Sequence, residues 1–144
     1  MYRLVLLCCL AACGTSSTVQ SELDNARARW QANRLGVYEF DWRRSCECTT
    51  EVTREMHVIV SDETITSLTY AYDGTAVPTT VWSSVETVDG VFESIQDAID
   101  QDAYSIVVTY DGSGYPRDVS IDYSLMIADE EYSAHITDLA GLAR

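Results

Sequence analysis

Val37-Tyr38-Glu39-Phe40-Asp41-Trp42-Arg43 changes from apolar to charged at every step from Tyr38 on. Successive side chains of an extended chain point to opposite faces, so Tyr38, Phe40 and Trp42 share one face while Glu39, Asp41 and Arg43 share the other. This is the pattern of a half-buried strand, and it runs into Cys46. Downstream the same period of two continues. A second strand is predicted over about 52 to 60, with Val52, Met56, Val58 and Val60 on one parity. Ser61-Asp62-Glu63 turns the chain, and a third strand covers about 64 to 71. Three strands joined by short turns make an antiparallel meander.

Upstream of the strand the period is that of a helix. Leu23, Ala26, Trp30 and Asn33 fall on one stripe of a helix from about 22 to 34, closed near Gly36. Ser21-Glu22-Leu23-Asp24 fits a capping box at its start. Further on, Thr87 or Asp89 caps a second helix, whose apolar positions Val88, Val91, Phe92, Ile95, Ala98 and Ile99 keep a three-four spacing. Strands follow again, on the parities Tyr104/Ile106/Val108/Tyr110, Val119/Ile121/Tyr123/Leu125 and Tyr132/Ala134/Ile136. Between the halves, Tyr72-Asp73-Gly74-Thr75-Ala76-Val77-Pro78 is echoed by Tyr110-Asp111-Gly112-Ser113-Gly114-Tyr115-Pro116, one turn solution used twice. The expected fold is α+β: an antiparallel sheet of about six strands in α-β-β-β-α-β-β-β order, with two helices packed on one face.

The amino terminus reads as an address. Leu4 to Ala12 is an uninterrupted apolar run behind Arg3, too short to span a bilayer, and Leu10-Ala11-Ala12-Cys13 has the form of a lipobox. On this reading residues 1–12 are a lipoprotein signal peptide that is removed. Residues 13–20 are a lipidated Cys13 and a flexible tether, and residues 21–144 form one globular domain. The lipid makes the membrane a partner and holds the domain outside the cytoplasm. Resemblance to bacterial lipoproteins adds that Gly14, standing where an Asp would retain the protein, implies the outer membrane in a Gram-negative cell. The chain has 9 basic residues, all Arg, against 23 acidic ones, and loss of Arg3 takes the formal charge from -14 to -15. So acidic a domain repels phosphate backbones and anionic headgroups, which sets nucleic acid aside; it can attract cations or a basic partner, or simply keep the domain soluble.

Taken together, Trp30, Tyr38-x-Phe40, Cys46-x-Cys48, Thr87-Val88-Asp89-Gly90-Val91-Phe92, Tyr110-Asp111, Gly114-Tyr115-Pro116 and Ile121-Asp122 resemble a domain-of-unknown-function family of small bacterial secreted proteins and lipoproteins. The likeness covers roughly Leu23 to Asp129. It implies a shared fold and an envelope location, and it brings no activity, cofactor or catalytic residue with it.

Cys46-Glu47-Cys48 is the sharpest chemical constellation. Cys8 and Cys9 leave with the leader and Cys13 carries lipid, so Cys46 and Cys48 remain as an even pair that reads first as a disulfide in an oxidising compartment. Thiol-disulfide exchange is the alternative reading, favoured by Arg43 and Arg44 nearby and opposed by Glu47 between the thiols. No metal or cofactor is expected. His57 and His135 fall on the polar parity of separate strands without ligand spacing. Asp111-Gly112-Ser113 starts like a calcium loop that lacks its closing Glu, and Asp129-Glu130-Glu131 reads as a solvated loop. Hydrolytic motifs are absent, and no catalytic residue is assigned. Of the 9 Tyr and 3 Trp, most lie on inward faces, whereas Tyr72, Trp82 and Tyr115 lie in predicted loops. Trp82 and Tyr115 are the candidates for ligand or partner contact, with an envelope protein or a small ligand as partner. The functional reading is a non-enzymatic binding or interaction module, with an envelope redox protein and a purely structural envelope protein as alternatives.

Overall fold

The strand that starts at Val37 lies at the centre of the sheet. A computed structural model describes residues 14–126 and 131–143. In it β1 (Val37–Arg43) lies between β2 (Met56–Ser61) and β6 (Tyr132–Gly141). With β3 (Thr64–Tyr70), β4 (Ser105–Tyr110) and β5 (Pro116–Asp122) they form one antiparallel sheet in the order β3-β2-β1-β6-β5-β4. Each half of the chain is a meander, and the two meanders join where β1 meets β6. Phe40 stands opposite Val58, and Trp42 stands opposite both Met56 and Ile136. The predicted inward parity of β1 is therefore continuous across the sheet, and Tyr38, Phe40 and Trp42 are all buried.

Two helices, α1 (Gly14–Ala32) and α3 (Val88–Asp100), cover that apolar face. Their buried residues are the expected stripes: Leu23, Ala26 and Trp30 from the first, and Val88, Val91, Phe92, Ile95 and Ala98 from the second. Asn33 lies beyond the end of α1, exposed, with its side-chain amide donating to the Arg29 carbonyl at 2.8 Å. The helices are tied to each other by polar groups at the edge of the contact. Arg27 Nη2 donates to the Phe92 carbonyl oxygen at 3.0 Å, and the side-chain amides of Gln20 and Gln96 exchange two hydrogen bonds of 2.9 Å.

Four boundaries differ from expectation. The helix expected from about 22 begins at Gly14, so Gly14 to Gln20 is helical rather than a flexible tether, and Ser21 is inside the helix instead of capping it. The Gln20–Gln96 pair gives this extension a tertiary contact that its Ser/Thr-rich composition does not reveal. Val52 belongs to a short helical turn, α2 (Thr50–Thr53), rather than to β2, and is partly buried against the core. The presumed loop at Trp82 is a 3₁₀ helix, Thr79–Ser84. Finally, β5 begins at Pro116 and ends at Asp122, which leaves Leu125 outside the sheet and 68% exposed.

Thr87, the first of the two candidate caps, is the one used: its Oγ1 accepts from the Gly90 N–H at 3.1 Å. Thr87→Ala is expected to cost about 1 kcal/mol, the usual worth of such a cap, read as a lower urea midpoint with an unchanged slope. The echoed turns also use one device. Asp73 Oδ1 accepts from the backbone and side chain of Thr75, at 3.0 and 2.6 Å. Asp111 Oδ1 does the same with Ser113, both at 2.8 Å. They differ in which glycine takes positive φ: Gly74 in the first and Gly114 in the second.

Candidate functional site

With the helices on one side, the other face of the sheet carries the outward parity of every strand. Small hydroxyl residues dominate it, among them Ser67, Thr69, Thr109, Ser120, Ser133 and Thr137, and the charged groups cluster on the central strands. Cross-strand neighbours on one face lie close enough for side chains to pair, and this register makes two imidazole–carboxylate pairs. His57 on β2 faces β1, with Nδ1 2.8 Å from Asp41 Oδ1 and Nε2 3.3 Å from Glu39 Oε2. His135 on β6 faces β5, with Nδ1 against Asp118 Oδ1, and the Thr109 hydroxyl of β4 donates to Asp118 Oδ2 at 2.9 Å. Arg43 of β1 stands opposite His135 on its other side.

The Thr109–Asp118–His135 row is not a nucleophilic relay. Such a relay needs the hydroxyl on the imidazole, whereas this one meets the carboxylate. What the row does is fix Asp118 as an anion. The Thr109 hydrogen bond, then that of His135 and the charges of His135 and Arg117, hold its carboxyl below the ordinary range against an opposing effect of burial. Because the folded pKa is depressed, the stabilisation is fully present above the unfolded value of about 3.9 and is lost as pH falls through the folded one. The Asp118 side chain is 53% exposed, so solvent screening limits the contribution to about 1 kcal/mol or less. Thr109→Val is expected to move the Asp118 titration upward, as read by the carboxyl carbon shift against pH.

Beyond the end of β1 the chain turns through the cysteines. Cys46 and Cys48 are joined by a disulfide, with the sulfurs 2.11 Å apart. The loop is pinned to β6 by Ser133, whose Oγ accepts from the Ser45 N–H at 2.9 Å and donates to the Ser45 carbonyl at 2.8 Å. Arg44, both cysteines, Glu47, Glu131 and Tyr132 line a cleft of about 630 Å³. It shares Ser45, Ser120 and Ser133 with a smaller hollow on the sheet face that holds Arg43, Asp118 and His135. The Arg44 guanidinium lies 5.5 Å from the centre of the Tyr132 ring, and its buried Nε has no hydrogen-bond partner among the described residues. The Tyr132 hydroxyl donates to Glu86 at 3.0 Å, and burial pushes its pKa far up, so it stays neutral.

The two aromatic residues expected to contact a ligand do not come together. Tyr115 is only 9% exposed and is part of the core, its ring edge-on to Trp30 at 6.5 Å. Trp82 is half-buried beyond the opposite edge strand, with its indole N–H donating to the Val77 carbonyl at 3.1 Å. Of the three loop aromatics, Tyr72 alone is open to solvent, at 95%. Asp111 spends one carboxylate oxygen on Ser113, as a turn residue does. No group of three or more His, Cys, Asp and Glu side chains arranged to hold a metal occurs among the described residues. Cys13, Asp129 and Glu130 lie outside the described residues. No helix among the described residues is long and apolar enough to cross a membrane.

Several residues of the sequence resemblance turn out to be one packing unit. Trp30 meets Tyr38 edge-on at 5.5 Å, Tyr38 stacks on Phe40 at 5.9 Å, and Gly114 lies beneath the Trp30 backbone. A family model matches residues 22–141, from within α1 to the end of β6. The chain belongs to a family of unknown function, DUF6174. The match takes in α1 from Glu22 on, α3, all six strands, the disulfide and both imidazole–carboxylate pairs, so the site and the packing unit of this chain both lie within the matched span. No curated protein and no solved structure matches the chain closely enough to be set beside it.

Proposed function

We propose that this DUF6174 protein is a cell-envelope lipoprotein, anchored by a lipid on Cys13, that binds a basic partner protein through the open face of its sheet. The observation that carries the binding reading is that, among the described residues, helices cover only one side of the sheet. Glu39, Asp41 and Asp118 stand on the uncovered face, and imidazoles on neighbouring strands hold these carboxylates in place. Ordered carboxylates over small hydroxyl residues, on a chain of net charge -14, complement Lys and Arg side chains of a partner. The anchoring reading rests on Leu10-Ala11-Ala12-Cys13 behind an apolar run, and the helix that starts at Gly14 would then carry the lipid close to the folded domain.

Two measurements test it. Titration of the isotopically labelled protein with a short Lys/Arg peptide, followed by amide shifts, is expected to move residues around Asp41, Asp118 and Ser120. The Asp41→Asn/Asp118→Asn variant should abolish the effect. Shifts spread over α1 and α3 would mean attraction by net charge alone and would favour a structural envelope role. For the anchor, an alkyne fatty acid fed to expressing bacteria should label the protein, and Cys13→Ser should remove the label; equal labelling of both sinks it.

A further inference from the structure

We propose that the Cys46–Cys48 disulfide is a redox site, exchanging with the dithiol of a protein or peptide. Its place in the fold is not that of a staple. A cross-link restricts the unfolded chain in proportion to the logarithm of the loop it closes, and this one joins residues separated by two positions, close to the minimum. Nor does it hold the loop in place, because the two Ser45–Ser133 hydrogen bonds already do so on the β6 side. Its sulfurs are reachable: Cys48 is exposed, Cys46 is half-buried, and both line the open cleft beside Arg44. Exposed disulfides with no structural duty are the labile ones.

The geometry assigns an order to the exchange. A thiolate of the incoming dithiol attacks Sγ of Cys48, the more exposed of the two residues. The S–S bond breaks, and its electron pair leaves on Cys46 as a thiolate that takes a proton from water. The second thiol of the substrate, after losing its proton to water, attacks its partner sulfur in the mixed disulfide and releases Cys48 as a thiolate, which also takes a proton from water. The substrate is oxidised to a disulfide by two electrons, and Cys46 and Cys48 end as thiols. A second protein disulfide, accepting two electrons in the same way, restores the pair. Arg44 is the positioning residue: two positions before Cys46 in the same cleft, and carrying a buried Nε without a partner among the described residues, it favours the leaving thiolate against Glu47 and Glu131 on the same walls. The exchange needs no docking to the sheet face, so it stands or falls apart from the binding reading.

The test uses the full chain in detergent with a reduced two-cysteine peptide as substrate, and reads thiols by mass after alkylation. The expected result is transfer of one disulfide to each peptide while the far-ultraviolet dichroism stays native. Cys46→Ser/Cys48→Ser should remove the transfer and melt within a few degrees of the parent. In Arg44→Gln, the pH profile for alkylating the reduced pair should move up by about one unit, a tenfold loss of thiolate at a fixed pH below it, while Arg44→Lys keeps the parent profile. A pair that stays oxidised until the chain unfolds overturns the proposal, and an unmoved profile in Arg44→Gln overturns the part given to Arg44.

Discussion

Gly114→Ala is expected to destabilise the fold by about 2–6 kcal/mol, although it adds one methyl group. Gly114 has φ +103, a region that side-chain-bearing residues rarely enter. The strain alone costs about 1–3 kcal/mol. The added Cβ would also lie 2.3 Å from the Ala26 carbonyl oxygen, 2.7 Å from the Trp30 nitrogen and 2.8 Å from the Arg29 Cβ. Two of these atoms are helix backbone, so no rotamer change relieves the overlap, and α1 must move off the β4–β5 turn. Losing the seat of Trp30 adds a packing term of similar size, against a total stability for such a domain of about 5–15 kcal/mol. Gly112→Ala is the control: its Cβ meets nothing within 4 Å and its φ is not positive, so its urea midpoint should barely change. A Gly114→Ala midpoint equal to that of Gly112→Ala would refute the close approach.

The second large effect is at Trp30 itself. Its side chain is 1% exposed, between Tyr38 and Tyr115, and Trp30→Ala should cost about 3–5 kcal/mol through lost burial and an unfilled cavity. Trp30→Phe separates volume from polarity. The indole N–H is buried without a partner among the described residues, and an unmade buried hydrogen bond costs about 1–3 kcal/mol. Removing it offsets part of the lost packing, so phenylalanine should lose less than half of what alanine loses. Urea unfolding followed at the far-ultraviolet helix signal measures both. A phenylalanine variant as damaged as the alanine one would show that the indole N–H is satisfied in solution.

These two positions also mark how far the sequence could be read. The parity of Tyr38, Phe40 and Trp42 and the stripe of Leu23, Ala26 and Trp30 are local patterns, and both appear in the fold as expected. Tyr115 is different. It follows a Gly-Ser-Gly turn and reads as a loop residue, but that turn tucks against α1, a contact some 85 positions back in the chain that no local period signals. The helical residues before Ser21 give no local signal for the same reason, since their support at Gln96 lies on another element. Of the candidate site, His57 and His135 were legible as outward-facing side chains. Their partners were not, because pairing with Asp41 and Asp118 depends on the register of β1 with β2 and of β5 with β6, which the parity of a single strand does not set. The cysteine pair was legible because two positions of separation leave little for the rest of the fold to decide.

The junction of β1 and β6 has a kinetic consequence. Each meander can form from neighbours in sequence, but the centre of the sheet pairs Trp42 with Ile136 and cannot close until β6 has left the ribosome. Contacts of such long range are made late and slowly. Until then each half shows an unpaired hydrogen-bonding edge, of β1 on one side and β5 on the other, open to strand exchange with another copy. Folding of the whole sheet thus waits for β6, the strand that joins the two meanders.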